Sequence, residues 1–367
     1  MRPRRVVTTA TATALAALAA AGCTRPPQPP PPLPAALTDQ QLVDRARTGV
    51  VAVLARGPEG ATTGTGFVVD AGRGLVLTAA HVTQDAGNIK VRLADRTTRP
   101  ARKIGEQKCG DISLLQIVGD VRGLTMLPLA PGGRPAPETR GTLLHYGANI
   151  EGFGRQSMST SRLTLSNPLV EHPELPSSLP PVAPLLQWQG VVPRGASGGA
   201  ILDRNGLVLG MAVLGEREQS QAYALRVEEL RAALPALRRG LRQDLLGLSG
   251  LSVRDVDLAQ VFAHDPDYSQ LGGGALGAAV AALLRRDGVT GFYVTSTSGA
   301  AEDAGVGFGD LITHVNGTRV RSMRGLCGVL DSTSPGERVT VRGVQINSGT
   351  TIREVGRPFR VTLKTRR

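Results

Sequence analysis

The chain has 367 residues, of which 41% are hydrophobic and only 3% aromatic, and its formal net charge is +12. This length suits two domains with cores of their own, and the apolar content excludes a largely disordered chain. The arginines occur singly and in pairs rather than in runs, so the charge gives no indication of nucleic-acid binding. A weak attraction to anionic lipid or cell wall is the plainer interpretation.

The amino-terminal segment has the pattern of an export signal. Positive charges at Arg2, Arg4 and Arg5 precede an uncharged stretch, Val6–Ala21, that is too short and too weakly apolar for a membrane span. It ends in Ala20-Ala21-Gly22-Cys23, which resembles a lipobox and favours lipidation of Cys23 at the outer face of the membrane; ordinary cleavage, giving a secreted or periplasmic protein, is the alternative. We predict a signal peptide at 1–23 and a proline-rich linker at 24–37.

Residues 38–238 are typical of an all-β sandwich or barrel. Thr38 predicts the start of a short helix reaching Arg47. Short apolar runs separated by turn residues then predict strands, and Val227–Leu237 has helical spacing and predicts a closing helix. The predicted strands are Val50–Leu54, Thr65–Val69, Leu75–Thr78, Ile89–Leu93, Ile112–Val118, Thr142–Tyr146, Arg162–Leu165, Ala200–Leu202 and Leu207–Leu214.

Residues 241–367 indicate a small mixed α/β domain. Its glycine motif, Gly272, Gly274 and Gly277, lacks the preceding strand that dinucleotide binding requires, so a flexible insertion is the better interpretation. We expect no cofactor and no metal. The predicted elements are strands at Leu251–Val253, Gly291–Thr295, Asp310–Val315, Arg338–Val344 and Phe359–Leu363, and helices at Ala275–Arg286, Ala300–Ala304 and Met323–Leu330.

Two cysteines fall in the folded part, Cys109 and Cys327, one in each predicted domain. A bridge between them would have to cross domains. Two free, buried thiols are therefore the favoured prediction, with the bridge as the alternative.

Three motifs carry the chemistry. His81 follows an apolar run, Asp111 precedes one, and Ser197 lies in a glycine-flanked turn. A serine hydroxyl needs a base within hydrogen-bond reach, and that base needs a third group to fix its tautomer. The order His, Asp, Ser is that of the chymotrypsin-type double β-barrel. The backbone N–H groups of Gly195 and Ser197 are the expected oxyanion hole.

At these motifs the sequence resembles the bacterial HtrA/Deg family of trypsin-like serine proteases with PDZ domains, from about residue 40 to the end. The resemblance implies a mainly β fold, a chymotrypsin-like double β-barrel followed by a small α/β PDZ-like domain. It further implies cleavage of exported, unfolded or damaged proteins, peptide capture by the PDZ-like domain and a homo-oligomer, a trimer. The segments that carry it are Gly64–Val69, Tyr223–Val227, Gly299–Gly305 and Gly309–Gly317.

The resemblance also assigns two binding segments. The substrate backbone is expected to pair along Gly210, Met211, Ala212 and Val213, whose small and apolar character predicts a preference for small aliphatic side chains before the scissile bond. A peptide carboxylate is expected at Gly250, Leu251, Ser252 and Val253 of the PDZ-like domain.

Two departures leave an alternative open. Ala196 stands before the nucleophile, where the family usually has Asn and digestive relatives have Asp, and without an acid there activation by a buried amino terminus is not available. The stretch Asn149–Leu186 also follows the family poorly. The alternative is a catalytically silent scaffold or peptide-binding protein at the cell surface. A protease for one specific partner is also compatible with the sequence.

Overall fold

The structure, a computed structural model, describes fourteen ranges of the chain, all of them within one compact unit, Ala36–Arg367. The predicted signal peptide with Cys23, the predicted helix at Ala275–Arg286 and the glycine motif lie outside these residues. Among the described residues, no helix is both long enough and apolar enough to span a bilayer. The ranges are 37–57, 60–84, 86–148, 157–170, 184–216, 220–243, 246–252, 291–297, 299–307, 309–321, 323–330, 332–334, 336–345 and 357–365.

The first helix, α1 (Asp39–Ala46), begins where the sequence predicts it. The Thr38 hydroxyl accepts from the Gln41 N–H at 3.3 Å, and the Gln41 side chain accepts from the Thr38 N–H at 3.0 Å. This reciprocal capping box satisfies two N–H groups that have no partner inside the helix.

Six strands close into a first barrel, in the order β1-β2-β3-β6-β5-β4. Branched aliphatic side chains fill it, and Val53, Phe67, Leu77 and Leu114 are fully buried. Because β1 pairs with both β2 and β4, the barrel has no open edge. The strands are β1 (Val50–Gly57), β2 (Gly60–Asp70), β3 (Leu75–Ala79), β4 (Asn88–Arg92), β5 (Thr98–Gln107) and β6 (Ile112–Ile117).

A second barrel closes in the order β10-β11-β12-β9-β8-β7. Its core holds the single tryptophan, Trp188, which is fully buried. The two closed barrels confirm the predicted mainly β fold. The strands are β7 (Arg140–Tyr146), β8 (Met158–Val170), β9 (Leu185–Gln189), β10 (Ala200–Leu202), β11 (Val208–Glu216) and β12 (Gln221–Arg226), and helix α2 (Val227–Arg238) follows.

The carboxyl-terminal part forms one sheet in the order β13-β14-β15-β17-β18, with β16 paired to β15. Buried residues such as Phe292, Ile312 and Val341 form its core. The described elements are β13 (Leu248–Ser252), β14 (Phe292–Thr297), β15 (Leu311–Val315), β16 (Thr318–Arg319), β17 (Arg338–Gln345), β18 (Arg357–Lys364), α3 (Ala300–Asp303) and α4 (Met323–Leu330). The sheet is mixed with helices, as the sequence predicts, and its PDZ-like character and exact domain boundaries stay predictions.

A disulfide joins Cys109 to Cys327, with 5.9 Å between their Cα atoms. The prediction of two free thiols is therefore wrong. Cys109 lies in a 3-10 turn (Lys108–Gly110) of the first barrel, and Cys327 lies in α4. Cys109 is buried among core residues of the carboxyl-terminal sheet, including Leu246 and Phe292, so packing brings together two sulfurs that are 218 residues apart.

Candidate active site

His81 and Asp111 meet at one end of the first barrel. His81 lies in a 3-10 turn (Ala80–Val82) directly after β3, and Asp111 connects the 3-10 turn of Cys109 to β6. The His81 ring Nδ1 is 2.8 Å from Asp111 Oδ2, and the His81 backbone N–H donates to Asp111 Oδ1 at 2.9 Å. Both oxygens of one carboxylate thus fix the backbone and the ring of the histidine.

Asp111 has an unusual backbone conformation, with φ 53° and ψ 41°. This left-handed region disfavours side chains with a Cβ, although Asp and Asn tolerate it best. Its carbonyl accepts from the Ala80 N–H at 3.1 Å and its own N–H donates to the Lys108 carbonyl at 3.1 Å. These bonds hold the backbone of Asp111, a residue that is 1% exposed, at the position from which its carboxylate contacts His81.

The environment raises the pKa of His81 above its ordinary value of 6.5. Burial opposes protonation and is the largest single influence. The negative charge of Asp111 and its hydrogen bond to the ring act in the other direction and together outweigh burial. The imidazole is therefore poised to accept a proton.

The Ser197 turn lies against the end of β3, close in the fold to His81. Gly198 has φ +85°, and a Cβ there would be 2.1 Å from the Thr65 carbonyl oxygen and 2.9 Å from the Ala79 nitrogen. Only glycine permits this approach. Among the described residues, the Ser197 hydroxyl has no hydrogen-bond partner, and hydrogen bonds of catalytic groups often tighten only when substrate is bound.

Gly195 supplies a backbone N–H near Ser197. Its φ is +89°, and a Cβ would be 2.4 Å from the Ala148 nitrogen, so this position also requires glycine. The Arg194 carbonyl accepts from the Ala148 N–H at 2.8 Å. Because the peptide between Arg194 and Gly195 is planar and trans, its N–H is directed away from Ala148. The hydrogen bond that the Arg194 carbonyl accepts thus fixes the orientation of the Gly195 N–H, which is the predicted oxyanion-hole donor.

Thr65 supports the same turn, and the sequence reasoning did not identify it as a site residue. Its hydroxyl donates to the Gly195 carbonyl at 2.7 Å and accepts from the Tyr146 N–H at 2.9 Å. Its backbone N–H donates to the Ser197 carbonyl at 2.8 Å. Thr65 is fully buried. The only signal in the sequence is a hydroxyl residue between two glycines at the start of an apolar strand.

The predicted substrate-binding residues lie in β11 and are buried. Both backbone groups of Ala212 are already engaged, because its carbonyl accepts from the Gly198 N–H at 2.7 Å and its N–H donates to the Gly199 carbonyl at 2.9 Å. Gly210 and Met211 also pair with β10 on one side and with β12 on the other, so a substrate strand would have to pair beyond Ala212 rather than along Gly210–Ala212.

The predicted peptide-binding segment of the carboxyl-terminal sheet is partly described. Gly250, Leu251 and Ser252 lie in β13, the strand at one end of the sheet order, whereas Val253 lies outside the described residues.

Within the described ranges, no three His, Cys, Asp or Glu side chains gather as a metal ion would require.

Comparison with known proteins finds one family model and several curated proteases that this chain resembles. A family model for the trypsin-like peptidase domain matches residues 64–211. The chain is 28% identical to Protease Do-like 1, chloroplastic, of Arabidopsis thaliana, over 77% of this chain and 60% of that protein. It is also 28% identical to the periplasmic pH-dependent serine endoprotease DegQ of Escherichia coli, over 75% and 55%. The chain thus spans little more than half the length of these curated relatives.

A solved structure agrees in fold. The HtrA-type protease AlgW, with a tripeptide, gives a TM-score of 0.50 at 18% identity, covering 90% of this chain and 97% of that chain. Such a likeness supports the fold and nothing finer.

Proposed function

We propose that this chain, an HtrA-like protein of the trypsin fold, is a serine endopeptidase that uses Ser197, His81 and Asp111. The observation that carries the proposal is the pair of hydrogen bonds that Asp111 accepts from His81, 2.8 Å at the ring and 2.9 Å at the backbone. A packing histidine does not need a buried carboxylate oriented in this way. A general base does, because its tautomer and ring orientation must be fixed before it takes a proton.

The proton assignments follow from the partners. An ionised carboxylate only accepts, so Nδ1 of His81 carries the proton that it donates to Asp111. Nε2 is then free to take the proton of the Ser197 hydroxyl as its oxygen attacks a peptide carbonyl carbon. The resulting imidazolium, stabilised by Asp111, later protonates the leaving amine, and water completes hydrolysis of the acyl-enzyme by the reverse sequence.

The backbone N–H groups of Gly195 and Ser197 would stabilise the oxyanion. Negative charge develops on the carbonyl oxygen only as the tetrahedral intermediate forms, so donors that are already oriented act mainly on the transition state. Each such donor contributes about 3–4 kcal/mol in acyl-transfer enzymes. No part of this scheme uses a metal or a cofactor.

The substrates and location that we propose are those of an exported protease. The curated relatives include a periplasmic endoprotease, and a buried disulfide suits an oxidising compartment. Unfolded exported proteins would be the substrates, with the edge strand β13 capturing peptide segments by strand addition. Lipidation of Cys23 and assembly into a trimer belong to the same proposal.

A serine-directed probe tests the proposal. The full chain is treated with a fluorophosphonate and the adduct is located by peptide mass spectrometry, beside cleavage of unfolded casein. We expect the adduct on Ser197, casein cleavage, and neither in Ser197→Ala. Labelling without casein cleavage would retain the triad and favour one specific substrate. A folded wild type that is not labelled would favour the scaffold function instead.

Thr65→Val is expected to lower kcat by roughly 10- to 100-fold with little change in KM, less than the loss of an oxyanion donor itself. Valine has nearly the same shape but cannot donate to the Gly195 carbonyl or accept from Tyr146. The unpaired groups are also expected to lower the free energy of unfolding by about 1–3 kcal/mol. Steady-state kinetics and denaturant unfolding measure the two effects.

Two controls accompany this variant. Thr65→Ser keeps the hydroxyl and should restore kcat, whereas Thr62→Val makes the same change at an exposed position of β2 and should alter neither quantity. A Thr65→Val enzyme with unchanged kcat would show that Thr65 does not position the oxyanion hole.

A further inference from the structure

A basic cavity lies on the first barrel, where α2 ends. Its volume is about 430 Å³, and its lining comes from the turn before β3, from β3, β5 and β6, and from the carboxyl end of α2 with the residues that follow it. Local sequence gives no sign of it, because the cationic residues come from three separate segments, at 73, 102–103 and 238–242. Six of the ten lining residues are cationic, namely Arg73, Arg102, Lys103, Arg238, Arg239 and Arg242.

Positive charge is in excess in this cavity. Lys103 is neutralised by an ion pair with Glu106. The five guanidinium groups have no carboxylate partner in the described part of the chain. Like charges gathered in one place repel each other, and the repulsion is reduced only by solvent, salt or a bound anion.

Two of the guanidinium groups are held in place by neutral partners. Arg102 Nε donates to Gln116 Oε1 at 3.0 Å, and Arg242 Nη2 donates to the Lys103 carbonyl at 2.7 Å. Each guanidinium has five N–H donors in a planar fork, so most of their donors stay available. An ordered fork of this kind matches the oxygens of a phosphate group.

Helix stability explains only part of the cluster. Arg238 and Arg239 lie at the carboxyl end of α2, where cations interact favourably with the helix dipole. Arg73, Arg102 and Arg242 belong to other segments and have no such role. Their convergence on the same cavity therefore needs a different reason.

We propose that this basic cavity binds a phosphate group, carried either by a small soluble anion or by the headgroup of an anionic lipid. Several guanidinium groups around one cavity recognise a multiply charged tetrahedral anion better than a single carboxylate, because charge and bidentate geometry both fit. The volume exceeds that of one phosphate and leaves room for a second phosphate or a headgroup. The site is separate from Ser197, so the proposal does not depend on the peptidase function.

Titration calorimetry with inorganic pyrophosphate tests the soluble form, using the full chain at constant ionic strength. We expect binding by the wild type and about 100-fold weaker binding by Arg102→Gln/Arg242→Gln, which removes two charge-assisted donors. The matched control is Arg134→Gln/Arg204→Gln, the same charge change at two exposed arginines that do not line the cavity. The control should bind as the wild type does.

Vesicle flotation tests the lipid form, with phosphatidylcholine vesicles that contain or lack phosphatidylglycerol. Binding to the anionic vesicles that is lost only in the cavity variant, without pyrophosphate affinity, would assign a lipid headgroup. Pyrophosphate affinity with the same variant dependence would assign a soluble anion. The proposal is overturned if neither probe binds, or if the control variant weakens binding as much as the cavity variant does.

Discussion

Replacing Asp111 with asparagine is expected to lower kcat by about 10⁴-fold. The carboxylate holds the Nδ1–H tautomer of His81 through a 2.8 Å contact. An amide in its place can present its NH₂ group to Nδ1, which favours the tautomer with the proton on Nε2. That histidine cannot accept the Ser197 proton. Steady-state kinetics on a casein-derived peptide would measure the loss.

We expect this substitution to leave the fold intact, because asparagine tolerates the left-handed backbone conformation of position 111, φ 53°. An amide oxygen can also keep the hydrogen bond from the His81 backbone N–H. We therefore expect near-normal circular dichroism in the variant. Asp120→Asn is the matched control, since it makes the same change at a surface carboxylate that pairs with Arg122, and it should leave kcat unchanged.

The pH profile gives a second readout. Burial lowers the pKa of His81, but the charge and hydrogen bond of Asp111 raise it above 6.5 overall. Because His81 must be neutral to act as a base, the acid limb of kcat/KM in the wild type should lie above pH 6.5. In Asp111→Asn the residual activity should have its acid limb at lower pH. Unchanged kcat and an unchanged limb together would refute the role of Asp111.

The raised pKa of His81 also makes the free energy of unfolding depend on pH. A histidine whose pKa is higher in the folded state binds protons more tightly there, so its contribution is fully present below the unfolded pKa. That contribution is lost as the pH rises through the folded pKa. The stability added by the His81–Asp111 pair is therefore greatest on the acid side of about pH 6.5.

Most of the barrel strands could be predicted, because they bury a continuous or alternating apolar face. Strand β5 could not, since its sequence is basic, contains Pro100 and leaves alternate side chains in solvent over most of its length. Strands β9 and β12 were also missed, because each is short and carries polar residues such as Gln187 and Gln221. Barrel closure depends on pairing between distant strands, which local periodicity does not reveal.

The residues of the candidate site also fall into two groups, those that a local sequence motif marks and those that only the fold brings together. Residues with a distinctive local motif, His81, Asp111 and Ser197, could be identified from sequence. Thr65 could not, because its role lies in hydrogen bonds to residues 81 and 130 positions away. The basic cavity could not be predicted for the same reason, since a cluster of basic residues that the fold brings together does not appear as a run of charges in the sequence.

Only packing brings the two cysteines of the disulfide together. Removing the disulfide is expected to lower the free energy of unfolding by about 2–5 kcal/mol. The bridge closes a loop of 218 residues, so its absence gives the unfolded chain much more freedom. Guanidinium chloride unfolding of the wild type, with and without reductant, measures the effect. Cys109→Ala/Cys327→Ala should match the reduced wild type and should not respond to reductant.

The position of the bridge predicts a catalytic effect as well as a stability effect. Cys109 is two residues before Asp111, in the turn whose Lys108 carbonyl accepts from the Asp111 N–H. Its own N–H donates to the Gln243 side chain at 2.8 Å. Cys327 lies in α4, which packs against β13, the strand we propose for peptide capture.

Reduction would therefore free the turn that orients Asp111 at the same time as it loosens α4 from the first barrel. We expect kcat to fall in the reduced wild type and in the double alanine variant alike, under conditions where both remain folded. Equal unfolding midpoints with and without reductant would contradict the stabilising role. A lower midpoint with unchanged kcat would confine the bridge to holding the carboxyl-terminal sheet, because the Lys108 and Ala80 hydrogen bonds would then suffice to position Asp111.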